Sequence, residues 1–117
     1  GQGQGSLSDF GIKYRELPLT GEGIVDWNAL SQAVKDNTRL VLIQRSCGYS
    51  WRPSLSIAEI EKIVYLVKQQ NPNTVCFVDN CYGEFIETQE PTHVGADLMA
   101  GSLIKNPGGT IVTAGGY

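Results

Sequence analysis

The sequence has a single histidine, His93, and only three cysteines, Cys47, Cys76 and Cys81. The thiol count is odd and the spacings match no zinc pattern, so neither a disulfide framework nor a zinc module is expected. The thiols read as reduced, in a cytoplasmic protein, and His93 reads as a loop histidine, leaving no metal site. Charge of one sign is also scarce: 9 basic residues stand against 12 acidic ones, a net charge of −3. That balance argues against a broad electrostatic grip on nucleic acid or an anionic membrane. No uncharged apolar run approaches the ~20 residues that span a bilayer. The glycine- and glutamine-rich opening, Gly1 to Ser8, has neither a basic nor an apolar region, so it is not read as a signal peptide. Gly1-Gln-Gly-Gln-Gly5 follows no strand and reads as a plain loop, not a phosphate loop.

What is present is a globular composition, with 41% hydrophobic and 18% charged residues. The 117 residues make at most one domain. Both ends read as cut, since the chain opens without Met and closes on Thr110–Tyr117, which reads as a strand running off the end. A piece of a larger domain is therefore expected.

Tyr14–Leu19 alternates weakly before the Thr20-Gly-Glu-Gly23 turn and reads as a short strand. Asp26 caps a helix expected to run to about Asp36. Arg39–Gln44 is a continuous apolar run, which suits a strand covered on both faces. Ser56, with Glu59 three residues on, makes a capping box. The helix that follows carries Ile57, Ile60, Ile63, Val64 and Val67 on one stripe, and Asn71-Pro-Asn73 stops it. Thr74–Val78 is a second buried strand that ends on Asp79. Gly95–Ala100 is a third short candidate, and a final strand follows the Pro107-Gly-Gly109 turn. Strand–helix–strand order implies right-handed crossovers and a largely parallel α/β sheet.

Two residues stand out chemically. Asp79 ends an apolar strand, where α/β sheets bind ligands; it is either a turn cap or a ligand contact. Lys105 shares Pro91–Tyr117 with one other formally charged residue, Asp97. It is either a surface lysine or an amine whose pKa burial lowers, making it a nucleophile. A Schiff-base lysine and a carboxylate facing a pyridinium nitrogen are the two protein groups that pyridoxal-phosphate (PLP) chemistry requires. Ser102, three residues before Lys105, could donate to a cofactor phosphate.

Asp79-Asn-Cys-Tyr82, Gly95-Ala-Asp-Leu and Ser102-Leu-Ile-Lys105 together resemble the core of fold type I PLP enzymes, within the cystathionine/methionine-lyase branch. The stretches Ile43-Gln-Arg-Ser, Gly48-Tyr-Ser-Trp-Arg-Pro-Ser-Leu, Val78-Asp-Asn-Cys-Tyr-Gly-Glu-Phe85 and Lys105-Asn-Pro-Gly-Gly-Thr-Ile are similar to the methionine γ-lyase-like family often labelled aluminium resistance protein. The resemblance covers essentially the whole chain. It implies a three-layer α/β sandwich with a mostly parallel sheet, of which residues 1–117 form the central part of the PLP-binding large domain. It implies a PLP-dependent lyase acting on a sulfur-containing amino acid, as a homodimer or homotetramer. Lys105 is then the cofactor lysine, Asp79 the ring-nitrogen partner and Ser102 a phosphate contact. Tyr82 either reaches the phenolic oxygen of PLP or packs under its loop. Gln44, Arg45 and Ser46 are second-tier candidates facing the cofactor. Arg52 binds an anion, pairs with an acid or is a solvated arginine. Cys47 stands where the family commonly has a basic residue. The alternatives are another fold type I activity, aminotransferase or transferase, and a non-catalytic nucleotide- or small-ligand-binding module with its phosphate at a helix N-terminus.

Overall fold

The computed structural model describes residues 5–117, so most of the opening glycine-rich loop lies outside the described residues. Three strands form a parallel sheet in the order β1 (Leu40–Gln44), β2 (Val75–Asp79) and β3 (Leu98–Ala100). Two helices accompany it, α1 (Trp27–Ala33) and α2 (Ile57–Gln70).

The capping box forms as the spacing requires. The Ser56 hydroxyl accepts the Glu59 N–H at 3.2 Å, and the Glu59 carboxylate accepts the Ser56 N–H at 2.8 Å. Behind that start, Ile57, Ile60, Ile63, Val64 and Val67 are the buried residues of α2. They share one core with Ile43 of β1, Cys76 and Val78 of β2, and Leu30 of α1. Burying each such aliphatic side chain contributes at most about 1.5–3 kcal/mol. Asn71 stops α2, and its side-chain amide donates to the carbonyls of Lys35, Asp36 and Thr38 at 3.1, 3.2 and 3.3 Å. One residue thus ties the end of α2 to the turn that feeds β1.

Three expectations are corrected. Residues 14–19 form an exposed extended loop with no ladder partner, because weak alternation without a neighbouring edge makes no sheet. Thr110–Tyr117 is a run of turns and loop, with only an antiparallel bridge between Ser102 and Gly116. The β1 run is covered on one face only. Its Leu40 and Leu42 stand exposed, and Leu42 pairs across with Phe77 and then Leu98. Apolarity recorded what the face prefers to meet, but the described residues supply a helical layer on one side alone.

Candidate active site

The carboxyl ends of β1, β2 and β3 lead into three segments that converge: 45–54, 80–90 and 101–105. Asp79 is the last residue of β2 and is partly buried. Its Oδ1 accepts the Cys81 N–H at 3.1 Å, so the turn-cap role is realised with one oxygen. Oδ2 has no hydrogen-bond partner among the described residues, which leaves an acceptor at the sheet end.

Tyr82 follows with a positive φ of 65°, a left-handed conformation that costs a side-chain-bearing residue energy. Its hydroxyl accepts from Lys105 Nζ at 2.8 Å, and the ammonium also lies over its ring, 4.6 Å from the centroid. The packing of Tyr82 beneath its own loop is not observed, since the side chain is exposed and turned to the lysine. Ser102 and Lys105 are brought together by a turn in which the Lys105 N–H donates to the Ser102 carbonyl at 3.0 Å. The Cys81 thiol lies between the Asp79 carboxylate and the Ser102 backbone, so the two strand ends share a neighbour. Its pKa is raised, by burial first and by Asp79 second.

Of the two readings of Lys105, a lowered pKa is not what these residues produce. The Tyr82 hydroxyl raises it, outweighing a smaller opposite effect of desolvation. The lysine is only partly buried, so the apolar surroundings that would favour a neutral amine are not assembled by these residues. Carboxylate, hydroxyl, phenol and amine are among the groups that PLP chemistry uses, and Asp79 Oδ2 would suit a protonated ring nitrogen.

The second-tier residues divide. Arg45 is buried at the wall of the hollow that Tyr82 also lines, with its guanidinium fully engaged by the protein. Its guanidinium donates to Glu87 at 2.8 Å, Asn80 Oδ1 at 2.9 Å, the Gly83 carbonyl at 2.9 Å and Glu90 at 3.4 Å. Ser46 lines a hollow of about 360 Å3 together with Ser54, Ser56, Tyr82, Ile86 and Glu87. Gln44 is exposed at the end of β1. Arg52 is no solvated arginine: it holds its loop by donating to the carbonyls of Gln44, Ser46 and Pro53. His93 sits in a short 3-10 turn, Pro91–Val94, where its Nδ1 accepts the Glu90 N–H at 3.1 Å.

Four residues gave no individual signal in the sequence. Asn80, Gly83 and Glu84 are buried and form a polar seam with the more exposed Tyr117. Tyr117 Oη donates to Glu84 Oε1 at 2.8 Å and accepts from Asn80 Nδ2 at 3.2 Å. Burial and Glu84 push the tyrosine pKa up to about 12. Glu84 Oε2 is buried without a partner among the described residues. The run Asp79–Tyr82 held the clue to Asn80, but a side chain tied to residues 10, 35 and 37 positions away leaves no periodicity.

A parallel sheet whose strand ends gather a carboxylate, a hydroxyl and a lysine defines an α/β protein with the architecture of PLP-dependent enzymes. The chain belongs to the methionine gamma-lyase family, whose model matches residues 1–117. It is 54% identical over all 117 residues to the uncharacterised Bacillus subtilis protein YnbB and spans 28% of that protein. A Listeria innocua structure, described provisionally as a cystathionine beta-lyase involved in aluminium resistance, superposes with a TM-score of 0.94 at 55% identity. The match covers 100% of this chain and 29% of that one. A carbon–sulfur lyase involved in aluminium resistance from Clostridium novyi NT matches at TM-score 0.89 and 48% identity, over 97% of this chain and 27% of its own. The chain therefore spans less than a third of the length of these relatives, and a lyase-family relationship is established. Among the described residues, no helix is long and apolar enough to cross a membrane.

Proposed function

We propose that residues 1–117 are the central part of the PLP-binding large domain of a carbon–sulfur lyase that acts on a sulfur-containing amino acid, working as a homodimer or homotetramer in the cytoplasm. The observation that carries this reading is the 2.8 Å contact between Lys105 Nζ and Tyr82 Oη, beside a β2 carboxylate with a free oxygen. Bound here, PLP supplies an electron sink for the substrate's α-carbon. Lys105 Nζ would hold the cofactor and, as a free amine, would take the proton from the substrate's α-carbon. Asp79 Oδ2 would keep the ring nitrogen protonated. The Ser102 hydroxyl donates to the phosphate, and Tyr82 Oη orients the lysine. The lyase assignment, in preference to aminotransferase or transferase, draws on the family and on the described relatives.

The binding-module alternative needs a phosphate at a helix N-terminus. At α2 that place is taken: the Ile57 N–H donates to Glu87 at 2.9 Å, and the Glu59 N–H is capped by Ser56. An incoming phosphate would meet a carboxylate there.

The test is to load the full-length protein with PLP, reduce with borohydride and map the adduct by mass spectrometry. One pyridoxyl group on Lys105, with loss of turnover in Lys105→Ala, is expected. Adducts spread over Lys13, Lys35, Lys62 and Lys68 would overturn the assignment, as would turnover by Lys105→Ala.

A further inference from the structure

We propose that Asn80 is a positioning residue: it clamps Tyr82 in its left-handed conformation and fastens the Lys105 loop to the end of β2, so that phenol and amine meet. The inference rests on the reading that Lys105 carries the chemistry.

Asn80 is fully buried and uses every polar group it has. Its N–H donates to the Ala100 carbonyl at 2.8 Å, tying the end of β2 to the residue before Gly101. Its carbonyl accepts the Gly83 N–H at 2.8 Å, closing a turn around Cys81 and Tyr82. Its Oδ1 accepts from Arg45 at 2.9 Å, and the same guanidinium nitrogen donates to the Gly83 carbonyl at 2.9 Å. Residues 80 and 83 are thus gripped from both sides. A left-handed tyrosine persists only where its surroundings leave no alternative, and these bonds are such surroundings. Gly83 lets the grip close. A Cβ there would stand 2.5 Å from Arg45 Cδ and 2.7 Å from Asn80 Oδ1.

The amide's other end reaches the lysine loop. Nδ2 donates to Glu90 at 2.8 Å and to Tyr117 Oη at 3.2 Å. The Tyr117 backbone exchanges two hydrogen bonds with Gly101, at 3.3 and 3.2 Å, and the Leu103 N–H donates to Gly115 at 3.0 Å. Gly101–Leu103 is the segment that leads into Lys105. One side chain therefore joins the turn presenting the phenol to the loop presenting the amine. Asn80 touches neither Lys105 nor the Tyr82 hydroxyl, so it acts through them.

The test compares Asn80→Asp with wild type in the full-length protein. Aspartate keeps the acceptor toward Arg45 and loses both amide donors. In cofactor-stripped protein, competitive acetylation of Lys105 at pH 8, read by mass spectrometry, should rise about threefold or more as the phenol drifts away and the amine loses its raised pKa. In holoenzyme, kcat should fall about tenfold while KM moves less than about threefold. In a Tyr82→Phe background the substitution should change Lys105 labelling no further, which a general loosening of the fold would not reproduce. Unchanged labelling in Asn80→Asp overturns the proposal. If that variant does not fold, Tyr117→Phe carries the labelling test, and unchanged labelling there overturns it equally. A borohydride adduct elsewhere than Lys105 in wild type would sink the functional reading instead, while the labelling would still report on Asn80.

Discussion

The amine of Lys105 lies 2.8 Å from the phenol oxygen of Tyr82, across 23 residues of chain. The hydroxyl accepts from the ammonium and thereby favours the charged form. Tyr82→Phe removes the acceptor, so the Lys105 pKa should fall toward its ordinary value. The pH midpoint for acetylation of Lys105 should move down, and a midpoint that stays or rises would contradict the geometry.

Arg45 is buried among two carboxylates, an amide and a carbonyl. Arg45→Met leaves Glu87 and Glu90 without their counter-charge. Because Glu87 and Glu90 keep access to water, the loss should be about 1–3 kcal/mol, mostly from the hydrogen bonds that the guanidinium donates to Asn80 and Gly83. Denaturant unfolding of the full-length protein should show a loss of that order, and a loss below about 1 kcal/mol would mean that those two acceptors also reach water.

Gly83→Ala puts a methyl group into the Arg45 and Asn80 side chains. Overpacking of this kind costs about 1–3 kcal/mol. Amide exchange in residues 80–90 should accelerate more than in α2, and uniform exchange across both would show the strain to be absorbed elsewhere.

Asp97 lies at the start of β3 and accepts the Cys76 N–H at 2.7 Å and Lys68 Nζ at 2.8 Å. The backbone bond first and the lysine second hold its carboxyl below the usual range. A lowered folded-state pKa stabilises fully above the unfolded value of about 3.9 and is lost as pH falls through the folded value. Stability should therefore dip below about pH 4, and Asp97→Asn should flatten that dip. The carboxylate is partly exposed, so the substitution should cost about 1 kcal/mol at pH 7. An unaltered acid limb in Asp97→Asn would assign the dip to other groups.

Legibility followed the range of the interactions. The α2 stripe and its Ser56–Glu59 cap are local, and both stood in the sequence. The Asp26 cap was equally plain, although α1 ends at Ala33, before the expected Asp36, as the chain turns toward β1. The strands β1 and β2 were visible as apolar runs, and their parallel pairing followed from the intervening helix. Residues 14–19 and 110–117 misled because short alternation says nothing about whether a neighbouring edge exists. At the site, Asp79, Ser102 and Lys105 were drawn from the motif and converge on the same sheet end. The raised pKa of Lys105 was not legible, since it depends on a tyrosine whose orientation is set by Asn80 and Gly83.

Leu42, Phe77 and Leu98 stand side by side across the three strands on the face without helices, with Leu42 and Leu98 more than half exposed. Such a row imposes a timetable on biosynthesis. Until something apolar covers it, every encounter with another copy in the crowded cell is an opportunity for sticking. The 117 residues produced alone should sediment in a concentration-dependent way, and Leu42→Lys should relieve it. The row that makes these 117 residues sticky would then serve as the adhesive for whatever layer comes to cover that face of the sheet.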